Sequence, residues 1–208
     1  MGSGYIDGDG CEYGSDRSTL VVAPITLKRY VMPWHATYVS GGAFRGCDVL
    51  ESADISKADI IPWGTFRGCS ALKSVNFSPM LRGIGDQAFR GCKSLATLVI
   101  PPGPERIGAE AFADCSALHS IVIPPSVKEI GSDAFAGCKA LRRCEIPDGV
   151  TLGDGAFPPW CVLDSPGARL ARARQVAGER AGCEVDAVGM HAPAAVDAGV
   201  PSGRAMTF

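Results

Sequence analysis

Five of the nine cysteines recur at a fixed spacing, and thiols can ligate metals, pair in disulfides or act as nucleophiles. Zinc sites need ligand pairs close in sequence, such as C-x-x-C, whereas these cysteines lie 22 or 23 residues apart with no histidine in phase. The odd total leaves at least one thiol unpaired within a monomer, which excludes a full disulfide framework. The recurring cysteines are Cys47, Cys69, Cys92, Cys115 and Cys138.

Other catalytic signatures are missing from the sequence. It contains no G-x-S-x-G, P-loop or dinucleotide fingerprint, and no paired-carboxylate or Cys-His constellation recurs. We therefore expect a protein that is not an enzyme and that holds no metal and no cofactor. Cys11, Cys161 and Cys183 lie outside the regular spacing and are the best candidates for reactive thiols.

The spacing of the cysteines belongs to a longer repeat. A phenylalanine precedes each of them by three residues, and the intervals between these phenylalanines are 22 or 23 residues. A fixed period in this range is typical of a solenoid. The phenylalanines are Phe44, Phe66, Phe89, Phe112 and Phe135, followed by Phe157 in a sixth turn that lacks the cysteine.

One full turn reads CSALHSIVIPPSVKEIGSDAFAGC, from Cys115 to Cys138. Ile121 and Ile123 are two residues apart, as on one face of a strand that the following proline ends, so we expect one short strand per turn. The segment SDAFAGC predicts a short helical or 3₁₀ turn. Because equivalent side chains of stacked turns point the same way, the cysteines are expected to form a buried row of thiols rather than disulfides.

The pattern C-x-x-L-x-x-I-x-I-P-x-x-V-x-x-I-G-x-x-A-F-x-x-C resembles the BspA-like, treponemal-type leucine-rich repeat family over about 135 residues. The resemblance implies an α/β repeat fold: a right-handed solenoid of about six turns with parallel strands on its concave side. It also implies a protein-binding module, since members are associated with bacterial surface attachment and host-matrix proteins.

The ends of the solenoid need caps that hide its apolar rows. We assign residues 1–23 to an N-terminal extension or cap, in which STLVVAPITL is apolar enough for a strand, and 24–160 to the solenoid. Residues 161–189 are predicted to form a C-terminal cap, with a helix over 166–182 and a strand near 184–188. Residues 190–208 are expected to be a flexible tail.

Charge and hydropathy limit the partners and the compartment. With 20 basic and 22 acidic residues the chain lacks the basic field of a nucleic-acid-binding protein, and no run of about 18 apolar residues predicts a transmembrane segment. The start MGSGYIDGDG is not a signal peptide. We therefore expect a soluble protein, cytoplasmic as written or periplasmic or cell-surface if a leader was trimmed; its oligomeric state is left open.

The predicted binding surface is the concave face, where residues between the inward-pointing ones face solvent. Its centre is apolar and its edges are charged, which suits a protein partner, although an ordinary β face would look the same. The candidate residues are Ser74, Asn76, Thr97, Val99, His119, Ser120, Val122, Arg143 and Glu145.

An alternative site involves the irregular N-terminal turns. Trp34 and Trp63 each follow a proline and lie outside the apolar skeleton. With Val31 and Tyr38 they could form an apolar pocket for a small hydrophobic ligand or a lipid, or simply shield the end of the core.

Overall fold

The computed structural model describes residues 4–166. They form a small N-terminal sheet, followed along the chain by a stack of parallel turns. Strands β1 (Tyr5–Ile6), β2 (Glu12–Tyr13) and β3 (Thr19–Val22) precede the repeats. The strands of the turns are, in chain order, β4 (Arg29–Val31), β5 (Tyr38–Val39), β6 (Ser52–Ile55), β7 (Ile60–Ile61), β8 (Ser74–Phe77), β9 (Gly83–Ile84), β10 (Thr97–Val99), β11 (Arg106–Ile107), β12 (Ser120–Val122), β13 (Glu129–Ile130), β14 (Arg143–Glu145), β15 (Thr151–Leu152) and β16 (Val162–Asp164).

Each repeat contributes two strands rather than the predicted one. The even-numbered strands β4 to β16 form a first row and the odd-numbered strands β5 to β15 form a second row. Neighbours that pair within either row are parallel, for example β10 with β12 and β11 with β13. The second row escaped the sequence analysis because its strands have only two residues, which is too short for an alternating pattern to show.

The segment around each phenylalanine is a run of tight turns, so the prediction of a helical or 3₁₀ segment was wrong. Its N–H groups alternate between two kinds of acceptor. The N–H of Phe112 bonds to the carbonyl of Ala134 in the next turn at 2.8 Å, whereas that of Cys115 bonds to Phe112 at 3.2 Å. A helix would bond these N–H groups to carbonyls of its own segment. Here half of them bond instead to the next turn of the solenoid.

The phenylalanines form a continuous stack through the core. Successive ring centroids lie between 4.6 and 5.2 Å apart, and the planes of Phe89 and Phe112 differ by only 3°. Leu118 and Ile130 belong to the buried rows beside them, and both are fully buried. A single turn could not bury both of its faces, so stacking provides the core, as the repeat predicted.

Glycine after the second-row strand is required by close packing between turns. A Cβ added to Gly108 would lie 2.4 Å from the backbone nitrogen of Asp86, and one added to Gly131 would lie 2.5 Å from that of Ala109. A side chain at this corner would therefore push adjacent turns apart.

The predictions for the N-terminal end of the solenoid can be compared with the structure, whereas those for the C-terminal end can be compared only as far as residue 166. The strand predicted in STLVVAPITL is confirmed as β3, which lies between antiparallel β2 and parallel β5. Tyr13 and Leu20 of this N-terminal sheet are buried in the core. At the other end β16 pairs with β14. The predicted helix at 166–182 lies outside the described residues beyond its first position, as do the closing strand and the tail.

Candidate interaction surfaces

The recurring cysteines are structural. All five are fully buried, and the thiols of four donate to the phenylalanine carbonyl of the preceding turn, such as Cys92 to Phe66 at 3.2 Å and Cys115 to Phe89 at 3.1 Å. Burial raises the pKa of the Cys47 thiol to about 11 and that of the Cys92 thiol well above its usual range. Protonated, buried thiols are poor nucleophiles and metal ligands.

The cysteines outside the regular spacing do not share one environment. Cys11 is buried, and burial followed by the charges of Asp7 and Asp9 raises its pKa to about 12, so the prediction that it is reactive was wrong. Cys161 is half-buried, and burial raises its pKa also. Cys183 lies outside the described residues. Within residues 4–166 no cluster of three or more potential metal ligands occurs.

The outward-pointing residues of the first row form one surface, which we call the strand face. At its centre β10 and β12 pair in register, so that Thr97 lies beside Ser120 and Val99 beside Val122. Both valines are largely exposed, at 66% and 52%. His119 directly precedes β12 and is also exposed. The structure thus brings together the central residues that the sequence predicted to face solvent.

At each end of the strand face a carboxylate is bound by a side chain of a neighbouring turn. Asn76 donates to the carboxylate of Asp54 one turn away at 3.0 Å. On the C-terminal side Arg143 is bonded to the buried carboxylate of Asp164. Burial works to raise the pKa of Asp54, but hydrogen bonds from Ser56 and Asn76 leave it lower than usual. The face is therefore apolar in the middle and charged at both ends.

The first row is interrupted where β12 meets β14, because these strands belong to different sheets. A cavity of about 280 Å³ opens between them. It is lined by Ser120, Val122, Arg143 and Glu145 and by the residues that alternate with them along the two strands. Four of the predicted site residues therefore border one depression in the strand face. Ser74 belongs to β8, which is separated from β10 by a similar change of sheet.

The four residues of the alternative pocket are exposed, with Trp34 at 86%. Val31 points outward from the first row and Tyr38 from the second, so these two belong to different sheets. Trp34 meets the ring of His35 edge-on, and the guanidinium of Arg45 lies 5.8 Å from the ring centre of Trp63. A ligand pocket formed by all four stays a prediction.

A further surface was missed by the sequence analysis. Beside the phenylalanine turns runs an open groove of about 520 Å³ with a floor of glycines and walls of basic side chains. The sequence does contain a pattern that indicates this groove. Arginine follows the phenylalanine directly in three turns, and lysine stands four residues after the phenylalanine in two turns. The lining residues are Arg67, Gly68, Arg90, Gly91, Lys93, Asp114, Ser116, Gly137 and Lys139.

Comparisons with known proteins agree with this architecture. The profile of the BspA type leucine rich repeat region matches residues 26–160 in six copies. A leucine-rich repeat protein of T. pallidum is 27% identical with a TM-score of 0.60, covering 74% of this chain and 81% of its own. One from Bacteroides ovatus is 27% identical with a TM-score of 0.65, covering 81% of this chain and 45% of its own.

A leucine-rich cell surface protein of Faecalibacterium prausnitzii is 25% identical with a TM-score of 0.58, and the match covers 78% of this chain and 55% of that one. The chain thus spans about half the length of the Bacteroides and Faecalibacterium proteins. Among curated proteins there is no significant match. Within the described part of the chain, no helix has the length and apolar character needed to cross a bilayer.

Proposed function

Because the chain belongs to the BspA-type leucine-rich repeat family, we propose that it is a non-enzymatic module that binds a protein partner through its strand face. Leucine-rich repeat proteins of this kind are generally protein-interaction modules, but a fold does not determine its ligand. The finer proposal must therefore rest on particular side chains of this face.

The exposed pair of Val99 and Val122 carries the proposal. The two side chains stand next to each other in register, with Thr97 and Ser120 on the same face. An apolar centre with a polar rim is the usual composition of a protein interface, in which a few central residues supply most of the binding energy. His119 and Arg143 would contribute to the rim and to the orientation of the partner.

The site of action that we propose is the bacterial surface, with a host extracellular-matrix protein as the partner. The Faecalibacterium relative, which is described as a cell surface protein, supports this, and the resemblance to the BspA-like family implies surface attachment. The rigid stack of turns, with its continuous phenylalanine core, suits a module that must keep its binding face in a fixed shape.

The test is direct binding of the purified protein to immobilised extracellular-matrix proteins. The variant V99D/V122D places two carboxylates in the centre of the strand face and should weaken binding by about thirtyfold or more, since central interface substitutions cost about 2 kcal/mol or more. The matched control is I25D/M80D, because Ile25 and Met80 are exposed to a similar degree, at 64% and 69%, and lie outside the strand face.

The result that supports the proposal is retention of binding in I25D/M80D and its loss in V99D/V122D. Equal binding by both variants would remove the strand face as the site. No binding to any matrix protein by the wild-type chain would remove the matrix partner. Far-ultraviolet circular dichroism of both variants controls for folding.

A further inference from the structure

The groove beside the phenylalanine turns is richer in positive charge than the chain as a whole. Four of its lining residues are cations and one is a carboxylate, whereas the whole chain has 20 basic and 22 acidic residues. The carboxylate is Asp114, whose nearest approach to a groove cation is 3.9 Å, to Arg90. The groove is therefore a local basic strip on a slightly acidic protein.

The two groove arginines are held in place by neighbouring side chains. Arg67 donates to the side-chain oxygen of Gln87 at 2.6 Å, and Arg90 is ion-paired with Glu110. Each contact uses part of a guanidinium that has five N–H donors, so donors are left over to face a ligand. The arginine wall is thus already ordered, which lowers the entropy cost of binding.

The two groove lysines are exposed and form no ion pair with another described residue. This contrasts with Lys73 and Lys128, each of which pairs with a glutamate one turn away at 2.9 Å and 3.0 Å. Lys93 and Lys139 stand at the equivalent position of turns two steps apart. These two lysines therefore present charge that no ion pair with a described carboxylate neutralises.

The floor of the groove is formed by glycines two positions after the phenylalanine, which have a left-handed backbone and no side chain. Gly68 and Gly91 have φ of 81° and 78°, which a side chain would strain. Their N–H groups bond to the carbonyls of Arg90 and Ala113 in the next turns, at 2.7 and 2.8 Å. A ligand would therefore lie on the floor and be held by the side chains of the walls.

The repeat also fixes the spacing of the charges. Rings of successive turns are 5.2 Å apart along this part of the stack, so Lys93 and Lys139 are separated by about 10 Å along the groove. The cations thus form a line that runs along several turns. Such a line matches an extended polymer with repeated negative charges better than a compact anion.

Three classes of linear polyanion could meet this requirement, and the groove discriminates between them. Single-stranded nucleic acid needs aromatic platforms for its bases, and none of the groove residues is aromatic. Binding of an extended acidic peptide by strand addition needs a free strand edge, whereas the floor N–H groups are already bonded between turns. An acidic polysaccharide needs only cations and hydroxyl partners, which the lysines, arginines and Ser116 supply.

We propose that this groove binds a linear acidic polysaccharide, with Lys93 and Lys139 contacting its carboxylate or sulfate groups. The site lies beside the phenylalanine turns, and its residues are distinct from those of the strand face. Binding here is therefore independent of the protein partner proposed above. One molecule could engage a glycan and a protein at once.

The experiment is calorimetric titration of the full chain with a short heparin fragment and with a hyaluronan fragment of equal length, at low and at moderate salt. Heparin carries sulfates and hyaluronan only carboxylates, so the two arms identify the acidic group. The variant K93E/K139E should lose about tenfold or more in affinity. The matched control K28E/R142E has the same net charge, and both of its sites are exposed outside the groove.

Selective loss in K93E/K139E with either glycan supports the proposal, as does an affinity that falls with rising salt. Three outcomes would overturn it: no binding of either fragment at low salt, equal loss in both variants, or equally tight binding of a poly-glutamate peptide or a single-stranded oligonucleotide. Neutral dextran, added as a further titrant, should give no heat of binding; a signal equal to that of heparin would count against charge recognition.

Discussion

The Sγ of Cys92 lies 3.2 Å from the carbonyl oxygen of Phe66 and donates a hydrogen bond to it from the next turn. The same oxygen accepts the backbone N–H of Cys69 at 3.1 Å, so both of its acceptor positions are used. This arrangement recurs between Cys115 and Phe89. The cysteine therefore joins consecutive turns, in addition to filling space in the core.

Replacing Cys92 with alanine should lower the free energy of unfolding by about 1–2 kcal/mol, because the change removes a buried sulfur atom and its hydrogen bond. Urea unfolding followed by circular dichroism measures this loss. Cys161→Ala is the control, since Cys161 is half-buried and should contribute less than about 0.5 kcal/mol. Equal effects of the two substitutions would mean that the inter-turn thiol bond adds no stability.

The buried thiols also predict a loss of stability at alkaline pH. Burial raises the pKa of Cys47 from 9.0 to about 11 and that of Cys144 to about 12, and it raises those of Cys69, Cys92 and Cys138 further. The unfolded chain releases these protons near pH 9 while the folded chain keeps them. Stability is therefore full below about pH 9 and falls as the pH rises through the folded values.

Each such thiol should remove about 1.4 kcal/mol of stability per pH unit once its unfolded form ionises. The measurement is the free energy of unfolding under reducing conditions at several values between about pH 8 and about pH 11. Cys92→Ala lacks one of the thiols and should give a shallower slope. A slope unchanged by this substitution would contradict the assignment.

Gly108→Ala should be among the most destabilising single substitutions, at about 3 kcal/mol or more. Its Cβ would lie 2.4 Å from the backbone nitrogen of Asp86 and 2.5 Å from the carbonyl carbon of Gly85, and backbone atoms of a stacked turn cannot move aside separately. Gly8→Ala is the matched control, because nothing lies within 4 Å of its Cβ position. Thermal unfolding of the two variants distinguishes them; similar melting temperatures would show that the turns can separate at this corner.

The repeat made the core and the strand face predictable. A fixed period places equivalent residues of successive turns side by side, so the adjacency of Val99 and Val122 followed from their separation of 23 residues. The confirmed burial of Leu118 and Ile121 has the same origin. In a solenoid, long-range contacts repeat one spacing, and that spacing can be read from the sequence.

Features that depend on backbone conformation were not predictable in this way. Gln87 and Glu110 take left-handed φ of 56° and 53° at positions where other turns have glycine, and their own residue types do not predict it. The basic groove was missed for a related reason. Arg67 and Lys139 are 72 residues apart, and their relation becomes visible only when turns are compared position by position.

The phenylalanine stack leads to a prediction about position within the solenoid. Phe112 stacks on Phe89 and on Phe135 at 5.2 Å, whereas Phe157, in the sixth turn, is half-buried and stacks on Phe135 at 4.6 Å. An aromatic pair contributes about 0.5–1.5 kcal/mol beyond the area it buries. Phe112→Leu removes two such pairs and should cost about 2–3 kcal/mol, against about 1 kcal/mol for Phe157→Leu.

Urea unfolding of both variants measures this difference, and leucine keeps most of the apolar volume so that the stacking contribution dominates. Because each turn of a solenoid contacts only its neighbours, loss at Phe112 should weaken both interfaces of its turn and broaden the unfolding transition. Equal costs at Phe112 and Phe157, with unchanged cooperativity, would mean that the rings act as independent apolar side chains and that their stacking contributes nothing further.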